Sequence, residues 1–182
     1  MATSADTHGG QTSGIQRPRI VTSVLLLIGV VIAIAGFVAV GYTLAITPLY
    51  AGFLLLWFWA TVGQASFPAL PSIISGAVAG TATAWLLQYC VQAYGAAGLY
   101  AVLVLIIVAI FVQIMNWAPL VINAPYMLFL TVTAAPLLQG GEDFRMVIAA
   151  ILASAAYFAG IVFVGQRAVA AYSRRADGRS GS

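Results

Sequence analysis

IVTSVLLLIGVVIAIAGFVAVGYTLA, residues 20–45, contains no charged side chain. A helix needs about 20 apolar residues to cross a bilayer, and the apolar core of a cleavable signal peptide is only about 7–15 residues long. The stretch therefore reads as a retained membrane span, although Arg17 and Arg19 precede it. Beyond it the pattern holds. Between Arg19 and Arg145 there is no Lys, Arg or His, and the only acids are Glu142 and Asp143. Lipid is the solvent that makes charge costly over so long a chain.

Composition agrees. The 182 residues are 63% hydrophobic and 6% charged, with a mean hydropathy of +1.05, whereas soluble domains carry about 25% charged residues. The expected fold class is all-α: a polytopic membrane protein with six transmembrane helices and no separate soluble domain. Residues 1–16, rich in Ser, Thr and Gly, read as a disordered cytoplasmic tail, residues 17–172 as the transmembrane domain and residues 173–182 as a basic cytoplasmic tail.

The spans divide at prolines and glycines. Span 1 covers Ile20 to Ala45. Span 2 runs from Pro48 to Ser66 and stops at the Pro68-Ala69-Leu70-Pro71 segment. Span 3 runs from Pro71 to Ala93, and Gly95 and Gly98 mark the turn into span 4, Leu99 to Met115. Span 5 is expected from Pro119 to Leu138, and span 6 from Phe144 to Ala168, after the Gly140-Gly141-Glu142-Asp143 loop.

Arg17 and Arg19 precede span 1, and Arg167, Arg174, Arg175 and Arg179 close the chain. The positive-inside rule puts both termini in the cytoplasm, which suits an even number of spans and a bacterial inner membrane. With a pI near 9.3, the basic end is read as a topology signal and not as a nucleic-acid patch. Cys90, the one cysteine, forms no disulfide within the chain and reads as a small buried hydrophobe.

Inside the spans, Ser72, Gly76, Gly80 and Ala84 recur every four residues and align small side chains on one helix face, a packing pattern suited to lipid. Ala149, Ala153, Ala156 and Gly160 offer a similar face on span 6. These faces serve packing within the chain, a homo-oligomer or a membrane partner. A possible solute pathway is read from Trp57, Thr61 and Gln64 on span 2 and from the amides Gln113, Asn116 and Asn123, with Pro125 and Tyr126 beside them. A proline inside a span frees backbone groups, and broken helices use such groups to hold solutes.

No span contains Asp, Glu, Lys or His, and His8 lies in the tail. Proton relays, metal ligation and acid–base catalysis lack their usual groups. The chain is expected to be neither an enzyme nor a cofactor or metal binder.

A 71-residue shift lays Thr47-Pro48-Leu49 over Ala118-Pro119-Leu120 and Phe58 over Phe129. Spans 1 to 3 then fall on spans 4 to 6. Halves of three spans each would enter the membrane in opposite directions, as an inverted repeat.

In the aromatic segment Tyr50 to Trp59 and the glycine face around Gly76 and Gly80, the chain resembles the domain-of-unknown-function 1097 family of small bacterial inner-membrane proteins. More distantly it resembles the membrane half of fusaric-acid-resistance and aromatic-acid exporters. The exporters carry an Arg just before their Gly-Thr segment, and Pro71 to Thr81 has none. The expected function is a small transporter or channel-like facilitator for an uncharged or weakly polar solute. The alternative is a non-transporting accessory subunit of a larger membrane complex.

Overall fold

The computed structural model describes the backbone of residues 20–180. The tail at residues 1–16, with Arg17 and Arg19, lies outside them. Every element among the described residues is helical: α1 (Ile20–Thr43), α2 (Leu49–Thr61), a 3₁₀ turn (Phe67–Ala69), α3 (Leu70–Ile114), α4 (Ala124–Thr133), α5 (Pro136–Gln139) and α6 (Phe144–Ser180). Of α1, the part from Ala33 onward belongs to the compact unit described below.

Among the described residues three helical stretches, not six, are long and apolar enough to cross a membrane: Ser23–Thr43, Phe67–Ile114 and Phe144–Ala168. Two of the expected spans are too short, and two others run on as the single element α3. α2 and α4 have 13 and 10 residues, or about 20 Å and 15 Å at 1.5 Å per residue. α2 stops before the turn at Gly63 and Pro68. α4 is bounded by its cap at Asn123 and by Pro136 at the start of α5. α6 continues through the basic end to Ser180, so the expected cytoplasmic tail from residue 173 is helical that far.

The 45 residues of α3 are not one straight rod. Gly95, at φ 59° and ψ −133°, is non-helical, a backbone shape that only glycine adopts cheaply. A side chain on Gly98 would collide with the carbonyl of Cys90. Residues eight apart meet in this way only if the chain doubles back. The second arm therefore returns along the first, and Ala109 joins Ala84 in one buried cluster with Tyr126, Leu130 and Phe144. The expected turn at Gly95 and Gly98 is present.

The main core gathers Phe37, Leu55, Phe58, Trp59, Ile73, Phe129, Val147, Ile151 and Phe158. Phe37 meets Phe53 edge-on at 5.5 Å and Phe158 at 5.0 Å. Gly52 leaves the gap that the Phe37 ring fills. Lipid supplies little hydrophobic drive between helices, so such shape fit and close backbone approach carry the association. The buried hydroxyls of Thr81, Thr133 and Ser154 donate within their own helices, to Ala77 (2.9 Å), Phe129 (2.6 Å) and Ile151 (2.8 Å), so these three are paired.

The 71-residue spacing recurs in the backbone. α1 ends at Thr43 and α3 at Ile114. After Thr43, Leu44 N–H donates to Val40 (3.0 Å), Ala45 to Tyr42 (3.2 Å) and Ile46 to Gly41 (2.9 Å). After Ile114, Met115 donates to Phe111 (3.0 Å), Asn116 to Gln113 (3.0 Å) and Trp117 to Val112 (3.2 Å). Each is a Schellman helix end, with Ala45 and Asn116 both at φ 53°. Burial follows the same spacing. Leu55 and Tyr126, Phe58 and Phe129, Trp59 and Leu130, Ile73 and Phe144, Gly76 and Val147, Gly80 and Ile151, and Ala84 and Ala155 are all buried. α2 packs chiefly on α6, and α3 on α4; shifting by one repeat exchanges the two pairings.

Candidate functional site

Two groups of amides lie at opposite ends of the first arm of α3. Near its start, Asn123 caps α4: its Oδ1 accepts the Tyr126 N–H (3.1 Å). Its Nδ2 lies within donating distance of the Ser72 carbonyl (2.8 Å), the Ser72 hydroxyl (3.0 Å), the Pro119 carbonyl (3.1 Å) and the Leu120 carbonyl (3.3 Å). The Ser75 hydroxyl donates to the Leu120 carbonyl. Gly76 is what makes room, since a side chain there would occupy the place of the Asn123 amide. Gly80 lies in the same way against the Tyr126 carbonyl.

Along the stripe Ser72, Gly76, Gly80 and Ala84, the Asn123 cap lies against Ser72 and Gly76, and α4 lies against Gly80. On α6 a different stripe is buried. Val147, Ala150, Ile151, Ser154 and Phe158 face inward, while Ala153 is half-buried and Gly160 is exposed with open space around it.

The expected pathway residues separate. Asn123, Pro125 and Tyr126 are together, but Pro125 does not interrupt a helix. It stands in the first turn of α4, where the missing N–H has no helical partner to lose. The Tyr126 hydroxyl meets the Thr83 hydroxyl at 3.0 Å. Trp57 is 56% exposed, on the side of α2 away from Leu55 and Phe58. Thr61 donates back to the Trp57 carbonyl (2.6 Å), and exposed Gln64 occupies a turn at φ 49°. Gln113 is half-buried near the end of α3 and Asn116 is exposed just past it.

The other group was not singled out in the sequence. Leu87, Gln88, Val91, Gln92, Leu99, Ala134, Pro136 and Gln139 line a cleft of about 290 Å³ beside the Gly95 reversal. Gln88 Nε2 donates to the Gln139 carbonyl. Gln139 Nε2 donates to the carbonyls of Thr133 (2.9 Å) and Ala84 (3.2 Å). These bonds tie the α4–α6 connection to the first arm of α3. The available signal was the pair Gln88 and Gln92, four apart on one face of an apolar helix. Among the described residues no group of His, Cys, Asp and Glu is placed to hold a metal ion.

No family model, curated protein or solved structure matches this chain.

Proposed function

We propose that the protein is a polytopic membrane facilitator for a small, uncharged, polar solute, entered through the amide-lined cleft. The observation that carries this reading is the cleft itself: uncharged hydrogen-bonding groups at the end of an apolar bundle, in a space at the lower limit of ligand pockets. Neutral amides suit a neutral solute, because an ion held in apolar surroundings calls for an opposing charge or a ring of carbonyls.

The proposed topology has six crossings in two inverted halves. α3 crosses twice by virtue of the Gly95 reversal, and the short helices α2 and α4 cross with the help of their flanking turns. Irregular backbone at such depth is tolerated where protein satisfies it, and the Asn123 amide lies within donating distance of the Pro119 and Leu120 carbonyls in the turn before α4. In this reading both termini lie in the cytoplasm of a bacterial cell and the cleft on the outer face with Glu142 and Asp143; the arginines toward the two ends of the sequence support it through the positive-inside rule. The accessory-subunit alternative called for Gly76 and Gly80 to be free for a partner, and α4 already covers both.

Stopped-flow re-swelling of proteoliposomes after a hyperosmotic solute jump tests the function. Urea, glycerol or acetamide should enter faster than into empty liposomes, and equal rates would remove the facilitator reading. Cysteines at residues 10 and 178 should be protected from an impermeant thiol reagent in intact cells, while one at residue 141 should label.

A further inference from the structure

Backbone carbonyls only accept hydrogen bonds, and this fixes which way the two cleft glutamines point. Gln88 must turn its NH₂ toward the Gln139 carbonyl. Gln139 must turn its own toward Thr133 and Ala84, which uses both of its N–H donors. The side-chain oxygen of each is left over. Among the described residues neither Oε1 takes a donor from the protein, while Leu87, Val91 and Leu99 make the rest of the wall apolar. The cleft is therefore lined by two glutamines whose side-chain oxygens are free to accept, and by the exposed Gln92 as a third amide.

From this arrangement we infer that the cleft binds solutes by their donors: small uncharged molecules with at least two N–H or O–H groups, such as a urea, a primary amide or a short polyol. The inference rests on the facilitator reading for its biological sense but is distinct from it, since it concerns binding and selectivity. A molecule of the same polarity that only accepts would leave both glutamine oxygens unpaired and gain nothing from them. A site built to receive donors rejects the analogue that lacks them more strongly than it rejects a change of size.

Thiol protection tests this without requiring transport. In the full-length protein with Cys90→Ala and Val91→Cys, maleimide labelling at the cleft wall is timed with and without solute. Urea and malonamide should slow labelling several-fold, while tetramethylurea, which has the carbonyl of urea and no N–H, should leave the rate unchanged. Adding Gln92→Leu should weaken the protection by urea, with an unchanged melting temperature showing the fold intact. Equal protection by urea and tetramethylurea would overturn donor selection, as would no protection by any solute. Protection without flux in proteoliposomes would support the binding site and overturn facilitation instead.

Discussion

The turn after α1 and the turn after α3 share the same hydrogen bonds, 71 residues apart, yet the next connections in the two halves have little in common. In the first half Trp59, almost fully buried, donates its indole N–H to the Ser66 carbonyl (2.9 Å) and meets Phe67 edge-on at 5.9 Å. Ile73 closes on Gly63 from the next helix, and the corner is sealed. The second half inserts α5, replaces the indole by glutamine amides and opens the cleft. The residues one repeat away from Gln88 and Gln139 are Ala159 and Pro68, so the polar groups of the cleft have no counterpart. The two halves agree where only backbone bonding is at stake and part where side-chain chemistry decides.

The sharpest test uses two positions that the repeat equates and packing separates. Gly80 and Ile151 are both buried, but the α4 backbone lies against Gly80. Gly80→Leu should cost about 3 kcal/mol or more by overpacking. Ile151→Ala should cost about 2–5 kcal/mol through the opposite defect, a cavity. Thermal unfolding in detergent measures both. A wild-type melting temperature for Gly80→Leu would mean that α4 does not lie on this face.

The sealed corner gives a smaller effect. Trp59→Phe keeps most of the ring but removes the donor to Ser66 and leaves that carbonyl unpaired, at about 1–2 kcal/mol. If the corner matters only as packing, the loss should instead match that of Phe58→Leu.

The helical class and the Gly95 reversal were legible because they follow from local properties, hydropathy and a glycine that must bend. So was the small face from Ser72 to Ala84, since four-residue spacing fixes a face whatever covers it. Span lengths were less legible. Hydropathy runs on through Ser66 and Leu138, whereas the helices stop at Thr61 and Thr133, because turn geometry and not polarity ends them. The role of Asn123 was hidden for a related reason: an amide beside a proline reads as part of a kink, whereas the Asn123 Oδ1 accepts the Tyr126 N–H and caps α4. The cleft depends on residues far apart in the chain, Gln88 and Gln139, which no periodicity connects.

Tyr50 offers a further non-repeated polar group, its counterpart one repeat on being Val121. Its hydroxyl is buried with no hydrogen-bond partner among the described residues, and such a group costs free energy that its removal restores. Tyr50→Phe should raise stability by about 1 kcal/mol, read as a higher melting temperature with unchanged helicity. A loss of stability would show that the hydroxyl has a partner in the membrane-embedded protein.

The smallest effect tests the most faithful part of the repeat. Ala45 and Asn116 occupy the same left-handed position, φ 53°, at the two Schellman ends. Both residues carry a Cβ that crowds the following carbonyl there, but the short amide of asparagine offsets this by hydrogen-bonding locally, which alanine cannot do. Exchanging the residues between the halves should therefore act with opposite sign: Ala45→Asn should stabilise and Asn116→Ala destabilise, each by about 0.5–1 kcal/mol. Both side chains are exposed, so packing contributes little to either change, and the double variant should return close to the wild-type melting temperature. If Asn116→Ala costs several times more than Ala45→Asn gains, the Asn116 amide has a role beyond backbone conformation, and the two ends share their hydrogen bonds without sharing their function.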